Sequence, residues 1–230
     1  MNMATERGVG LGRIDRRRAV DDVHAAIREA ILTRRFAPGM RLNVEELAAQ
    51  LGVSLTPVRS ALQLLAAEGI VDVHSRSGTY VATLSRTDLA ETFDIRCALE
   101  CLAAEAAGRL TDEQIAKARL QLGILARPIR SEAQRKAHEQ ANTELHQIVI
   151  EAAGNRKLAE MYDSLQAHIA MGRLHRQDQT WQSRLLVEQE EHAAIVAAME
   201  KRDITELVAA LRRHIMRAKA VMLESLPQEE

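Results

Sequence analysis

Aromatic residues and cysteines are scarce in this 230-residue chain. Aromatic residues make up 2% of the sequence and hydrophobic residues 47%, so the core must be built from aliphatic side chains, which suits closely packed helices. The two cysteines, Cys97 and Cys101, lie four residues apart on one predicted helix, which is poor geometry for a disulfide. Two interpretations remain for them: a redox or metal-binding pair, or two small buried hydrophobic side chains.

Long apolar runs and a strong net charge are also missing. No segment approaches the ~20 apolar residues that a membrane span needs, and the arginine-rich N-terminus has no signal-peptide core. The net charge of −1 excludes a uniformly basic protein that coats nucleic acid. The first 83 residues nevertheless carry 11 Arg against nine Asp or Glu, a small positive excess that favours an N-terminal DNA-binding half. The composition predicts a soluble, cytoplasmic protein with no membrane partner.

Residues 43–81 predict a helix, a tight turn, a second helix and a two-stranded hairpin. Gly52 can end the first helix in the left-handed conformation, and the second helix is expected to begin after Thr56-Pro57. The apolar periodicity predicts buried residues at Val44, Leu47, Ala48 and Leu51 in the first helix, and at Val58, Ala61, Leu62, Leu65 and Ala66 in the second. This arrangement is typical of a winged helix-turn-helix that reads a major groove. The alternative is a small helical core with a hairpin and no nucleic-acid partner.

The same stretch resembles the DNA-binding domain of GntR-type bacterial transcription regulators. The shared motifs include Pro38-Gly39, Thr56-Pro57-Val58-Arg59 and Glu68-Gly69. The chain departs from the family at Leu55, where Arg is usual, and at Ser60, where Glu is frequent. Candidate contacts to a double-stranded DNA operator follow from the exposed face of the second helix, from the hairpin tip and from the resemblance. They are Ser54, Thr56, Pro57, Arg59, Ser60, Gln63, Arg76 and Gly78.

The expected fold is mainly α-helical, with the winged domain followed by an antiparallel bundle of about six helices. We expect a flexible segment at residues 1–17, the winged domain at 18–83, the helical domain at 84–225 and a tail at 226–230. Helix starts in the bundle are predicted from the capping patterns Ser85 with Asp88, Thr111 with Gln114, Ser131 with Gln134, Asn155, the region around Ser183, and Asp203 with Glu206.

Three histidines fall on apolar faces of three predicted bundle helices. They are His146, His192 and His214, and Asn142 lies one turn before the first of them. Neutral imidazoles on rigid helices suit Zn²⁺ or Ni²⁺, so the three could converge on one divalent metal. The alternative is three core histidines that are hydrogen-bonded separately.

The histidine positions are similar to the metal ligands of the FCD ligand-binding domain of FadR-type GntR regulators, here in its shorter, VanR-type form. That resemblance implies an effector site at Arg96, Asn142, His146, His192 and His214, of which the last four would also hold the metal. Metal-binding relatives usually have Asp at the position of Asn142, and an amide is a weaker ligand than a carboxylate. Arg96 could bind an effector carboxylate, or it could form an internal salt bridge with Glu100.

Together these patterns predict a ligand-responsive transcription regulator and not an enzyme. A homodimer would bind a roughly palindromic operator, and a small organic acid would bind in the helical domain, directly on the metal or beside it. The competing interpretation is a metal-dependent hydrolase that uses the three histidines, with Glu188 or Glu191 as a base. The sequence contains no HExxH motif. Whether DNA binding represses or activates transcription is left open by the sequence.

Overall fold

The computed structural model describes residues 16–75, 77–174 and 181–226. The chain divides into two compact units between Ala82 and Thr83. The N-terminal unit contains a three-stranded sheet and three helices, and the C-terminal unit is helical throughout its described residues. No helix in the described ranges is both long enough and apolar enough to cross a bilayer.

The N-terminal unit is a three-helix domain with a small antiparallel sheet. Its elements are α1 (Arg16–Leu32), β1 (Arg41–Leu42), α2 (Val44–Leu51), α3 (Leu55–Ala67), β2 (Val71–His74) and β3 (Gly78–Val81). The sheet order is β1-β3-β2, with β3 paired antiparallel to both neighbours. Helix α1 packs on α3, and the Glu68 carboxylate at the end of α3 contacts His24 at 2.6 Å and Arg28 at 3.4 Å.

The turn between α2 and α3 is sharp because Gly52 ends α2 with a φ of 67°. Helix α3 begins at Leu55 with Ser54 as its N-cap, so the predicted start after Thr56-Pro57 is wrong by two residues. Pro57 is tolerated inside the first turn because the N–H groups there have no partner within the helix. The predicted burial of Leu51 is also wrong, since this side chain at the end of α2 is 36% exposed.

The hairpin is present, but a third strand, β1, joins it on the far side of β3. Gly78 opens β3 with a φ of 112°, and a Cβ at this position would lie 3.0 Å from Nε of Arg41. Glycine is therefore favoured here for two reasons. Other residues rarely adopt this backbone angle, and their Cβ would lie too close to the Arg41 guanidinium. At the hairpin tip the Tyr80 hydroxyl donates to the Ser77 carbonyl at 2.8 Å. Arg76 lies outside the described residues.

The C-terminal unit contains the six helices that the capping patterns predict. They are α4 (Arg86–Ala104), α5 (Asp112–Leu125), α6 (Glu132–Ala152), α7 (Arg156–Leu174), α8 (Trp181–Lys201) and α9 (Ile204–Ser225), with a short 3-10 helix at Ala107–Arg109. Helix α4 packs against α6, α7 and α9, while α8 packs against α5 and α9. This packing places α4, α6, α8 and α9 around a common interior.

The predicted helix starts are confirmed closely. Ser85 and Thr111 form full capping boxes, and Ser131 and Asp203 accept from the backbone N–H three residues on. Helix α8 begins at Trp181, two residues before the expected Ser183. The strong local capping signals explain why the bundle boundaries are readable from sequence.

We predict that Ser85→Ala lowers the free energy of unfolding by about 1 kcal/mol, because the Ser85 hydroxyl accepts from the Asp88 N–H at 2.9 Å. Urea unfolding followed by far-UV circular dichroism measures the change. Ser164→Ala is the matched control: this exposed serine on α7 bonds only a carbonyl of its own helix in the described structure, so its loss should change stability by less than about 0.5 kcal/mol. Equal effects of the two substitutions would contradict the capping role.

Candidate functional site

One face of α3 is free of the domain core. Thr56, Arg59 and Gln63 are exposed along it, while Val58 and Leu65 are buried on the opposite side. Of the other predicted DNA contacts, Ser54 is exposed, Pro57 and Ser60 are half-buried, and Gly78 lies at the start of β3. Ser54 makes no side-chain cap bond in the described structure, so its hydroxyl stays available to other groups. This exposed face is what a recognition helix presents to a major groove.

Two further residues were not among the contacts predicted from the sequence. Arg41 places its guanidinium beside Gly78 at the base of the hairpin, and Leu55 is 38% exposed at the first position of α3. Arg41 gives no periodic signal because β1 is only two residues long. Leu55 was noted only as a departure from the family pattern, and its exposure becomes apparent once α3 is known to start there.

The second candidate site is a cluster of three buried imidazoles in the helical unit. His146 on α6, His192 on α8 and His214 on α9 are each at most 2% exposed. Their ring centroids lie 6.0 Å (His146–His192), 5.1 Å (His146–His214) and 4.5 Å (His192–His214) apart. One nitrogen from each ring lies within 4.8 Å of the others. The three rings therefore converge in the fold, as the resemblance to the FCD domain implies and as their positions on apolar faces allow.

Carboxylates orient two of the three rings. Glu100 Oε2 lies 2.5 Å from His146 Nδ1, and Glu191 Oε2 lies 2.9 Å from His214 Nδ1. An ionised carboxylate can only accept, so each Nδ1 carries the proton and each Nε2 keeps its lone pair. A carboxylate behind the Nδ1–H of a histidine is the usual support of a metal-binding imidazole, because it fixes both tautomer and ring orientation.

Glu100 is itself held by three donors. Its carboxylate is fully buried and accepts from Arg96 Nε at 2.7 Å and from the Tyr162 hydroxyl at 3.0 Å, in addition to His146. Glu191 accepts from Arg217 Nε at 2.5 Å as well as from His214. Neither glutamate was predicted in this role, although Glu100 falls on the inward face of α4 with Phe93 and Cys97.

The protonation states fit metal binding. Burial lowers the pKa of His146 to about 4, and burial with the neighbouring imidazoles holds the pKa of His192 well below its usual value. Burial alone would raise the pKa of Glu100, but the contacts with His146 and Arg96 bring it far below its usual value. At neutral pH His146 and His192 are therefore neutral and Glu100 is anionic, which is the state that a ligand imidazole and its supporting carboxylate require.

Several buried polar atoms at this site have no hydrogen-bond partner among the described residues. They are Asn142 Oδ1, His146 Nε2, and both ring nitrogens of His192. A buried polar group without a partner costs about 1–3 kcal/mol, so this concentration calls for a ligand. Nitrogens bound to one Zn²⁺ ion lie about 2.0–2.1 Å from it, and one nitrogen of each ring already lies within 4.8 Å of the others. The residues present fit a divalent metal.

Arg96, the proposed effector contact, is buried and bonded to Glu100 within its own helix. The internal salt bridge, one of the two interpretations left open by the sequence, is thus present. The guanidinium also lies over the Phe93 ring, 5.5 Å from its centroid. Arg96 neutralises the buried Glu100 charge and so supports His146 indirectly.

The cysteines lie outside this cluster of groups. Cys97 and Cys101 are both buried and unbridged, with sulfur atoms 4.0 Å apart, and Cys101 also approaches the Val208 carbonyl. Burial raises the pKa of the Cys101 thiol to about 11, which disfavours the reactive thiolate. The geometry favours two small buried side chains.

The comparisons with known proteins cover both units. Residues 19–81 match the family described as bacterial regulatory proteins, gntR family, and residues 91–217 match the FCD domain. The Nta operon transcriptional regulator of Aminobacter aminovorans is 32% identical over 190 residues, which cover 82% of this chain and 87% of that protein. The repressor RspR of Escherichia coli is 26% identical over 84% of each chain. A further relative, from Streptomyces ambofaciens, is 42% identical, but the match spans only 36% of its length.

Solved structures give the same fold. Escherichia coli McbR/YncC superposes with a TM-score of 0.75 at 23% identity and covers 90% of this chain and 97% of its own. A putative GntR regulator from Rhodococcus sp. RHA1 has a TM-score of 0.73 at 20% identity, over 90% and 99% of the two chains. The family resemblance of both halves is confirmed, and the hydrolase interpretation is not supported, since Glu191 is already engaged by His214 and Arg217. The chain belongs to the GntR family of bacterial transcription regulators, with a winged helix-turn-helix followed by an FCD domain.

Proposed function

We propose that this regulator senses a small organic acid in its helical domain through a divalent metal held by His146, His192 and His214, with Asn142 beside them. One observation carries the proposal: three buried imidazoles from three helices converge, and carboxylates support two of them from behind. A bound cation would supply a positive centre to which a carboxylate can coordinate. We further propose that the protein acts in the bacterial cytoplasm, where its operator DNA lies.

The charges around the histidines favour an acid over a neutral ligand. Arg96 balances Glu100, and Arg217 balances Glu191, so these four groups sum to zero. Asn142 is neutral where metal-binding relatives usually carry Asp. A divalent ion would therefore bring two uncompensated positive charges into a buried site, and each carboxylate of an acid effector would offset one of them.

The effector would act by binding one arrangement of the helices better than another. The three histidines come from α6, α8 and α9, so an occupant that they hold would join three bundle helices, and α4 supports the site through the contact of Glu100 with His146. If operator affinity differs between two arrangements, the bound effector changes the affinity for DNA. Bound DNA then changes the affinity for the effector by the same free energy, typically about 1–3 kcal/mol.

The DNA interface that we propose consists of the exposed face of α3 and the hairpin. Thr56 and Arg59 lie in the first turns of α3, the part of a recognition helix that comes nearest the bases. Ser54 at the start of α3 and Arg41 beside Gly78 on the sheet are suited to phosphates. We include Arg76, which the sequence predicts at the hairpin tip, among the proposed DNA contacts.

Replacing Arg59 by Ala should weaken operator binding by about 1–3 kcal/mol if the guanidinium reads a base. Gel shifts at fixed salt on an operator selected from random duplexes measure the loss. Arg119→Ala is the matched control, because this exposed arginine of the helical domain carries the same charge and pairs only with Glu200 among the described residues. The assignment is refuted if both variants bind the operator equally well.

We expect a homodimer, because one winged domain buries too little surface for tight specific binding and a palindromic operator mirrors a two-fold protein. Light scattering on the eluting protein should give about twice the chain mass of 25.6 kDa. A monomer at micromolar concentration, with and without DNA, would contradict this.

Losing a residue that hydrogen-bonds a metal ligand typically weakens metal binding about 10- to 100-fold. Replacing His192, a proposed ligand itself, by Ala should weaken Zn²⁺ or Ni²⁺ binding by more than this. Asn142→Asp should tighten metal binding and reduce its dependence on an added acid, because the new carboxylate supplies the missing negative charge. Calorimetry with each metal, with and without the acid, measures both effects.

His74→Ala is the control for this experiment, since this exposed histidine lies on β2 in the other unit. Thermal melting checks that the His192 variant is folded, and Asn142→Asp keeps the test valid if it is not. Failure of the wild type to bind either metal, with acid binding unchanged in His192→Ala, would mean that the three histidines are ordinary core residues.

A further inference from the structure

Asn142 is a buried amide at the centre of the inward face of α6. Its side chain is 6% exposed, and by the helical turn angle it lies about 20° from Val149 and about 40° from His146, which are both buried. Its Oδ1 atom has no hydrogen-bond partner among the described residues. Helix α6 itself cannot supply a donor, because backbone N–H groups in the middle of a helix are already bonded to carbonyls one turn earlier.

Two of the three histidines have no donor to spare for this oxygen. The Nδ1–H groups of His146 and His214 are committed to Glu100 and Glu191. A metal would not satisfy the oxygen well either, because a charged acid competes better than an uncharged amide for a position on a divalent cation. Asn142 Oδ1 is therefore an acceptor that calls for an O–H or N–H group on the effector.

The need for a donor distinguishes between classes of organic acid. A simple carboxylate brings only acceptor oxygens, and the carbonyl of a 2-oxo acid adds another, so neither satisfies Asn142 Oδ1. A 2-amino acid brings a donor, but its ammonium group would place a further positive charge beside a divalent cation. A 2-hydroxy acid brings a neutral donor, and its charge and hydrogen-bonding groups both match the site.

The position of the donor follows from the helix. Asn142 and His146 lie on successive turns of α6, about 6 Å apart along its axis. The donor must therefore lie close to the carboxylate that binds the metal, which is where the hydroxyl of a 2-hydroxy acid lies.

We infer that the effector is a 2-hydroxy acid, whose carboxylate binds the metal held by the three histidines and whose hydroxyl donates a hydrogen bond to Asn142 Oδ1. The inference rests on the proposed function, since it takes the metal and a bound acid as given. It makes Asn142 the residue that distinguishes hydroxy acids from other acids of the same size.

Four three-carbon acids that differ only at the second carbon test the inference. They are propionate, pyruvate, alanine and lactate, with both enantiomers of lactate. The full-length protein is loaded with Zn²⁺ or Ni²⁺, and calorimetry measures the Kd of each acid. The preferred enantiomer of lactate should bind at least about fivefold more tightly than the other three acids, because an unpaired buried acceptor carries a penalty of this size.

Asn142→Leu removes the acceptor and keeps a side chain of similar size. This variant should bind lactate more weakly and should bind lactate and propionate equally well. Asn142→Asp keeps an acceptor and should retain the preference for lactate. Gln140→Leu is the matched control, because it replaces an exposed amide of the same helix that donates to Glu144 at 2.8 Å, and it should leave the preference unchanged.

The outcomes separate this inference from the proposal beneath it. If the loaded wild type binds all four acids equally well, or if Asn142→Leu keeps the preference for lactate, the role of Asn142 is wrong and the metal and acid site stands. If the wild type binds neither a metal nor any of the acids, the proposed function fails and this inference falls with it. The wild-type series needs no variant, so it decides the matter even if Asn142→Leu does not fold.

Discussion

The buried carboxylate of Glu100 is the group on which the histidine site depends. It has no exposed surface, and it accepts from Arg96 on its own helix, from His146 on α6 and from Tyr162 on α7. An anion in this position is tolerable only because its donors are charged or strongly polar and well aligned. Removing Arg96 would leave the buried Glu100 charge uncompensated, at a cost that reaches about 3–5 kcal/mol for a broken buried pair. The orientation of His146 thus follows from the neutralisation of Glu100.

The histidines themselves could be predicted from sequence because each lies on an apolar stripe of a long helix with clear caps. Periodicity tells which side of a helix faces inward, and an inward imidazole needs a partner. The role of Glu100 could not be predicted in the same way, since His146 and Tyr162 are 46 and 62 residues further along the chain. Only the packing of α4 against α6 and α7 brings those donors to one carboxylate.

The winged domain was predicted well in its order of elements and less well at its edges. Thr56-Pro57 suggested a cap followed by a first-turn proline, but Ser54 two residues earlier takes the cap position, and a proline is accepted anywhere in the first turn. The strand β1 could not be foreseen because two residues have no periodicity, and it exists only by pairing with β3. These boundaries decide which side chains are exposed, and they explain why Arg41 and Leu55 were not among the residues singled out from the sequence.

The scarcity of aromatic residues has a spectroscopic consequence. The chain has two tyrosines, one in each unit: Tyr80 bonds the hairpin tip, and Tyr162 bonds Glu100 behind the histidines. Fluorotyrosine incorporated throughout the protein would give two resonances, one for the wing and one for the bundle interior. Ligand added to the helical domain would shift the Tyr162 signal directly, and any change at Tyr80 would register communication between the two ends of the regulator. The two tyrosines would thus report separately on the two units of the chain.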